Sequence, residues 1–113
     1  MGYDEVRKIA MAFPGVDEHL AFGEPTLKVH KKFLACIAKI DRDTLCLKMP
    51  DAMQRDILLS SKPDVFYNTD HYANFGSILI RLPKVDPDEL RDLIEDSWRA
   101  LAPKRLVAAY QPG

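Results

Sequence analysis

Pro25 to Met49 reads PTLKVHKKFLACIAKIDRDTLCLKM, and its apolar positions recur with a period of two at both ends. Leu27 and Val29 alternate with Thr26, Lys28 and His30, and Leu45, Leu47 and Met49 alternate with Thr44, Cys46 and Lys48. Alternation of this kind puts successive side chains on opposite faces of a sheet. Phe33 to Ile40 between them is nearly all apolar. The segment therefore predicts a three-strand meander over Thr26–His30, Phe33–Ile40 and Thr44–Met49. Its turns are expected at Lys31-Lys32 and Asp41-Arg42-Asp43. Neither turn carries the Asn-Gly signature that would fix the register, so the faces of Cys36 and Lys39 stay open.

Helical spacing flanks this core. Val6, Ile9, Ala10 and Phe13 form one stripe of a helix over residues 3–12, ended by Pro14-Gly15. Residues 17–22 predict a short strand or an extended lead-in. Pro50 is expected to open a short helix to about Leu59, with Met53, Ile57 and Leu58 inward. Val65–Tyr67 predicts a brief strand and Asn68–Gly76 a polar and aromatic loop. Ser77–Leu82 predicts a strand with Ile78, Ile80 and Leu82 on one face and Ser77, Leu79 and Arg81 on the other. Asp86-Pro87-Asp88-Glu89 carries a cap residue, an early proline and acids where the helix dipole favours them. Leu90, Leu93, Ile94, Ser97, Trp98 and Leu101 then trace one face of a long helix. Pro103 opens a last short helix through Tyr110.

The pattern predicts a single domain over residues 1–113. Its class is α+β, in two layers: an antiparallel sheet with the N- and C-terminal helices packed on one face. The other face is expected to stay open to water, carrying Lys28, Lys48 and Arg81.

Composition adds bounds. At 113 residues, 47% hydrophobic and 29% charged, the chain suits one globular core. The longest apolar run, Phe33–Ala38, is far shorter than the roughly 20 residues of a membrane helix. The first residues are charged and lack an apolar signal core, which suggests a cytoplasmic protein. Cys36 and Cys46 lie within predicted strands and are read as buried thiols, not as a disulfide or a zinc pair. Net charge is −1 but unevenly spread. Residues 26–49 carry six cations against two anions, whereas residues 86–97 carry six acids against Arg91. A positive sheet and negative helices hint at an anionic partner for the sheet.

Two constellations could carry function. Lys28, Lys48 and Arg81, with Thr26, Thr44 and Ser77 between them and Lys31 and Lys32 at a turn, could hold phosphates by charge and hydrogen bonds. The plain alternative is that solvated sheet faces carry lysines to discourage edge pairing. The loop Tyr67, Asn68, Thr69, Asp70, His71, Tyr72, Asn74 and Phe75 could stack on bases, or simply pin itself to the domain. No glycine-rich phosphate loop or nucleophile–base pair is visible. His19, His30 and His71 lack ligand-like spacing, so no metal or cofactor is expected.

The runs FGEPTLKVHKKFLACI (22–37), LCLKMP (45–50), VFYNTDHYANFGSILIRL (65–82) and DPDELRDLIEDSWRALAPKRL (86–106) together resemble the MmcQ/YjbR family. The resemblance implies a CyaY-like fold with helices on one side of an antiparallel sheet. It also implies DNA binding, as the family is usually described. The matching positions are Pro25, Thr26, Lys28, Lys32, Phe33, Lys48, His71, Tyr72, Arg81, Lys104 and Arg105. At net charge −1 the chain departs from a strong, non-specific duplex binder. The fold also resembles frataxin-like proteins, which use an acidic helix ridge for iron. Here Asp86, Asp88, Glu89, Asp92, Glu95 and Asp96 fit dipole compensation better.

The resulting expectation is a non-enzymatic, monomeric binding protein. Thr26, Lys28, Lys32, Lys48, His71, Tyr72, Arg81, Lys104 and Arg105 are its candidate nucleic-acid contacts. DNA or another phosphate-bearing ligand is the expected partner, without membrane contact. The alternative is a module binding a protein or a small anion through the same face. A third reading is an enzyme using Asp70, His71 and a lysine.

Overall fold

A computed structural model describes residues 1–21, 23–73 and 76–110. Its helices are α1 (Tyr3–Met11), α2 (Ala52–Ser61), α3 (Asp70–Ala73), α4 (Pro87–Leu101) and α5 (Lys104–Ala109). Its strands are β1 (Val16–Ala21), β2 (Glu24–Val29), β3 (Lys32–Ile37), β4 (Thr44–Lys48), β5 (Phe66–Tyr67) and β6 (Ser77–Arg81). All pairings are antiparallel, in the order β1-β2-β3-β4-β6-β5. Among the described residues no helix is long and apolar enough to cross a membrane.

The α+β arrangement read from the pattern is the one observed. Leu27, Val29, Leu45, Leu47, Ile78 and Ile80 are fully buried on one sheet face. Val6 and Ala10 of α1, and Leu90, Ile94 and Trp98 of α4, join them in one core. Helix α4 starts as its sequence dictates: Asp86 accepts from the Glu89 amide at 3.1 Å, and Pro87 fills the first turn. Its C-terminal half is held by Trp98, whose Nε1 donates to the Pro14 carbonyl at 2.7 Å. Phe13 and Tyr110 flank that indole at ring separations of 5.4 and 5.0 Å. Ser97 Oγ donates to the Lys48 carbonyl, tying α4 to the end of β4.

Local chemistry shifts several expected boundaries. The β2–β3 turn is His30-Lys31, both with positive φ (48° and 73°), so Lys32 belongs to β3. Two left-handed residues make the kind of tight turn that matches strand twist, here without asparagine or glycine. Gly15 makes room for it: its φ is +80°, and a Cβ there would meet the His30 ring at 2.7 Å. Strand β3 stops at Ile37, because Asp41 Oδ1 accepts from the Asp43 amide and from Thr44 Oγ1, both at 2.8 Å, and closes the next turn. Helix α2 begins at Ala52, after Asp51 caps the Gln54 amide at 2.7 Å, and not at Pro50. Met53 and Ile57 are exposed rather than inward; Leu58 and Leu59 make the helix's contact with the core. The expected loop contains the single turn α3, while Asn74 and Phe75 lie outside the described residues, as does Phe22.

The larger correction concerns the second sheet face. It is not bare to water. Cys46 and Leu79 are buried there with Ala38, and Phe33, Cys36, Tyr67 and Tyr72 pack around them. Thr26, Thr44 and Ser77, expected as solvated donors, are buried. Tyr72 of α3 lies over this face, its Oη accepting from the Lys39 amide at 3.1 Å.

Candidate functional site

One residue from each strand forms a row across the second face. His19, Thr26, Cys36, Cys46, Leu79 and Tyr67 are successive cross-strand partners. Directly opposed residues in an antiparallel ladder project to the same side. The neighbouring row depends on an irregularity in β3. Leu27 pairs with Ala35, but Lys28 pairs with Phe33, so Leu34 is an extra residue. A bulge of this kind lets two consecutive residues serve one face. Leu34 and Ala35 both enter the helix-side core, and Phe33 is returned to the second face beside Cys36.

Phe33 thereby becomes a wall of a pocket of about 500 Å³. The pocket lies where β3 begins, β4 ends and β6 begins. Phe33, Cys36, Cys46, Tyr72, Ser77 and Leu101 line it, and Lys32 and Lys48 supply its cations. A volume in the range of roughly 300–1,000 Å³, apolar walls and a few polar groups are the usual features of a small-molecule site. Gly76 clears space for one of those cations: its φ is +66°, and a Cβ there would lie 2.8 Å from Lys48 Nζ. Ser77 Oγ is fully buried, and its one side-chain neighbour for hydrogen bonding among the described residues is the Cys46 sulfur. A hydroxyl has one donor and two acceptor sites and sulfur is a weak partner, so this buried group keeps capacity for a bound ligand.

The two thiols have opposite tendencies. The Cys46 thiol donates to the Cys36 sulfur and is buried, and both effects push its pKa up. The same hydrogen bond, with Lys39 nearby, draws the Cys36 thiol down against the opposing effect of burial. Both cysteines are free.

Of the nine candidate residues, the pocket gathers Lys32, Lys48 and Tyr72. Lys28 shares the face but is half-buried, with Asp17 and Phe33 opposite it on the neighbouring strands. Thr26 is buried. His71 is exposed on α3, edge-on to Tyr72 at 5.0 Å. Arg81 is at the far end of β6. Its guanidinium stacks 4.0 Å over the Tyr67 ring and donates to the carbonyls of Pro63 and Asp64 at 3.3 and 3.4 Å. Lys104 and Arg105 sit on α5, whose Leu106 and Val107 pack on the helix-side core. The expected single cationic patch is therefore split by packing. On the acidic helix, Glu89 is bound by Lys62 at 3.0 Å and Glu95 by Arg99 at 2.9 Å.

Cys36, Cys46 and Leu101 were not among the candidates, and Ser77 was expected only as a neutral donor on an open face. The alternation of Thr44–Met49 already aligns Cys46 with Lys48. No local signal announces the bulge that brings Cys36 and Phe33 to the same side.

A family model described as YjbR matches residues 11–100. Uncharacterized proteins of Mycobacterium bovis (Mb2600) and Mycobacterium tuberculosis (Rv2570) are each 29% identical over 68 residues, which is 60% of this chain and 53% of theirs. The match thus spans about half the length of these curated relatives. The crystal structure of the Deinococcus radiodurans protein DR2400, a DUF419 domain, superposes with a TM-score of 0.72 at 20% identity. That superposition covers 86% of this chain and 75% of the other, and it shows a shared fold.

Proposed function

The chain belongs to the YjbR family, and from that premise we propose that it is a non-enzymatic binding protein whose second-face pocket holds a ligand with an apolar body and a phosphate or similar anionic group. The observation that carries this reading is the pairing of Lys32 and Lys48 with the aromatic walls Phe33 and Tyr72 around the buried Ser77 hydroxyl. An apolar body displaces water from the walls, and the lysines and the hydroxyl supply charge-assisted and neutral hydrogen bonds to the anion.

Duplex DNA, the ligand suggested by the family resemblance, would use the same cations with Lys28 and Lys31. The pocket favours the smaller ligand. A duplex backbone needs a stripe of cations, whereas Arg81 is committed to Tyr67 and two carbonyls, and Lys104 and Arg105 sit in the helix layer.

The test is equilibrium binding of phenyl phosphate and of a labelled duplex of about 20 base pairs, in wild type and Lys32→Gln. Binding is measured at about 50 and 200 mM salt, a span over which phosphate contacts through Lys28, Lys31, Lys32 and Lys48 would cost a duplex roughly 10²-fold. Saturable one-site binding of phenyl phosphate, weakened several-fold by the substitution, supports the proposal. A duplex that binds with a log–log salt slope near −0.9 per contact, and that phenyl phosphate does not displace, replaces it with the DNA reading.

A further inference from the structure

Cys36 and Cys46 are opposite one another across β3 and β4, and the hydrogen-bond pattern decides what that pair can do. Ala38 N–H donates to the Thr44 carbonyl at 2.8 Å, one pair beyond Ile37 and Leu45. On the other side of β4, Leu82 N–H donates to Asp43 and Met49 N–H to Gly76, so residues 43, 45, 47 and 49 face β6. Residues 44, 46 and 48 therefore face β3. By this alternation Cys36 and Cys46 occupy a hydrogen-bonded pair, the wider of the two kinds, with Cα atoms about 5.5 Å apart. Their Cβ atoms then lie near the upper end of about 4.5–5.5 Å, beyond the roughly 3.5–4.5 Å that a disulfide requires. A Cα separation of about 5.5 Å is one that disulfides use, so the obstacle is the Cβ spacing, which would have to close by up to about 1 Å for the thiols to join.

Their exposure differs. Cys46 is 3% exposed, whereas Cys36 is half-buried, and both line the pocket. We propose that Cys36 is a covalent acceptor site, which takes an anionic low-molecular-weight thiol from its disulfide and keeps it as a mixed disulfide. The Cys36 thiolate, its proton lost to solvent, attacks one sulfur of R–S–S–R. The new S–S bond forms as the old one breaks, and RS⁻ leaves and takes a proton from solvent. Cys36 is oxidised, and the departing thiol is the reduced product. Cys46 S–H stabilises the attacking thiolate by hydrogen bonding. Cys46 is buried and its Cβ is spaced more widely than a disulfide needs, so it is disfavoured as the group that resolves the adduct. Preference for an anionic thiol rests on the pocket reading above, since Lys32 and Lys48 are the groups that would attract it.

The test is intact-mass analysis after exposure to glutathione disulfide, which is anionic, or to neutral 2-hydroxyethyl disulfide. One adduct is expected on wild type and on Cys46→Ser, and none on Cys36→Ser or Cys36→Ala. Relative to free cysteine, the anionic disulfide gains about tenfold in rate, and Lys32→Gln reduces that gain. Cys46→Ala shifts the labelling profile to higher pH, an effect that a purely structural role would not produce. An adduct on Cys46, or a loss of two hydrogens marking a Cys36–Cys46 bond, overturns the proposal. Wild type that takes no adduct yet binds phenyl phosphate also overturns it and leaves the pocket reading standing. Equal rates with both disulfides, in a protein that does not bind phenyl phosphate, overturn the anionic preference and the pocket reading together.

Discussion

Deleting Leu34 removes the extra residue that makes the β3 bulge, and the structure predicts that the sheet survives. Upstream of the bulge Val29 pairs with Lys32 and Lys28 with Phe33; downstream Leu27 pairs with Ala35 and Thr26 with Cys36. Without Leu34 these pairs become continuous, and Phe33 and Cys36 keep the second face. The loss is one fully buried leucine side chain. Its transfer from water is worth roughly 1.5–3 kcal/mol, and the space it leaves adds to that, as in core leucine truncations of about 2–5 kcal/mol. One fewer residue to order returns about 1–2 kcal/mol. The net expectation is a destabilisation of about 2–3 kcal/mol. That lowers the urea midpoint by roughly 1–2 M, given a slope of about 1–3 kcal/mol/M for a chain of this size. Deletion of Ile37 is the comparison. It leaves the bulge in place and slips residues 32–36 by one against β4, turning Ala35 outward and Cys36 into the core. That variant is expected not to fold cooperatively. Equilibrium urea unfolding of both, followed by circular dichroism, decides the matter. If the Leu34 deletion unfolds as completely as the Ile37 deletion, the bulge is misplaced and the lining of the pocket with it.

Trp98→Phe should cost about 2–4 kcal/mol in urea unfolding. The Pro14 carbonyl loses its donor and a void opens beside Phe13 and Tyr110; a loss under about 0.5 kcal/mol would contradict this packing. Glu18 accepts from Tyr3 Oη at 2.6 Å and pairs with Arg7 at 3.2 Å, and these bonds hold its carboxyl below the usual range. A depressed folded pKa gives stability that is present above the ordinary carboxylate pKa and lost as pH falls through the folded value. Glu18→Gln should therefore cost up to about 1 kcal/mol at neutral pH, since the pair is largely solvent-exposed, and the two proteins should converge in acid. A difference that persists unchanged into acid would refute that origin.

What was legible in the sequence is what short-range periodicity encodes. The stripes of α1 and α4 and the alternation of β2, β4 and β6 fixed the two layers and the helix-covered face, because each pattern has one way to bury its apolar side. The Asp86 cap was readable because it acts within one turn. The misreadings come from longer-range packing. Met53 and Ile57 have helical spacing, but the face of α2 that meets the core carries Leu58 and Leu59 instead. Thr26, Thr44 and Ser77 alternate as solvated residues would, yet the second face is covered by Phe33 and by Tyr72 of α3. Arg81 has the right parity for a cationic patch, but strand length and Tyr67 carry it away from Lys48. The bulge at Leu34 is a compromise among neighbouring strands and has no signature in the residues around it.

Lys32, Phe33, Cys36, Lys48, Tyr72 and Ser77 are proposed to form one ligand site on the second sheet face. Mapping backbone amide shifts during a phenyl phosphate titration tests that directly by NMR. The predicted result is a saturable set of shifts centred on Lys32–Cys36, Cys46–Lys48, Tyr72 and Ser77, with Arg81 and α5 unmoved. Shifts that centre on Arg81 or on Lys104 and Arg105, or that stay absent at saturating ligand, would contradict it.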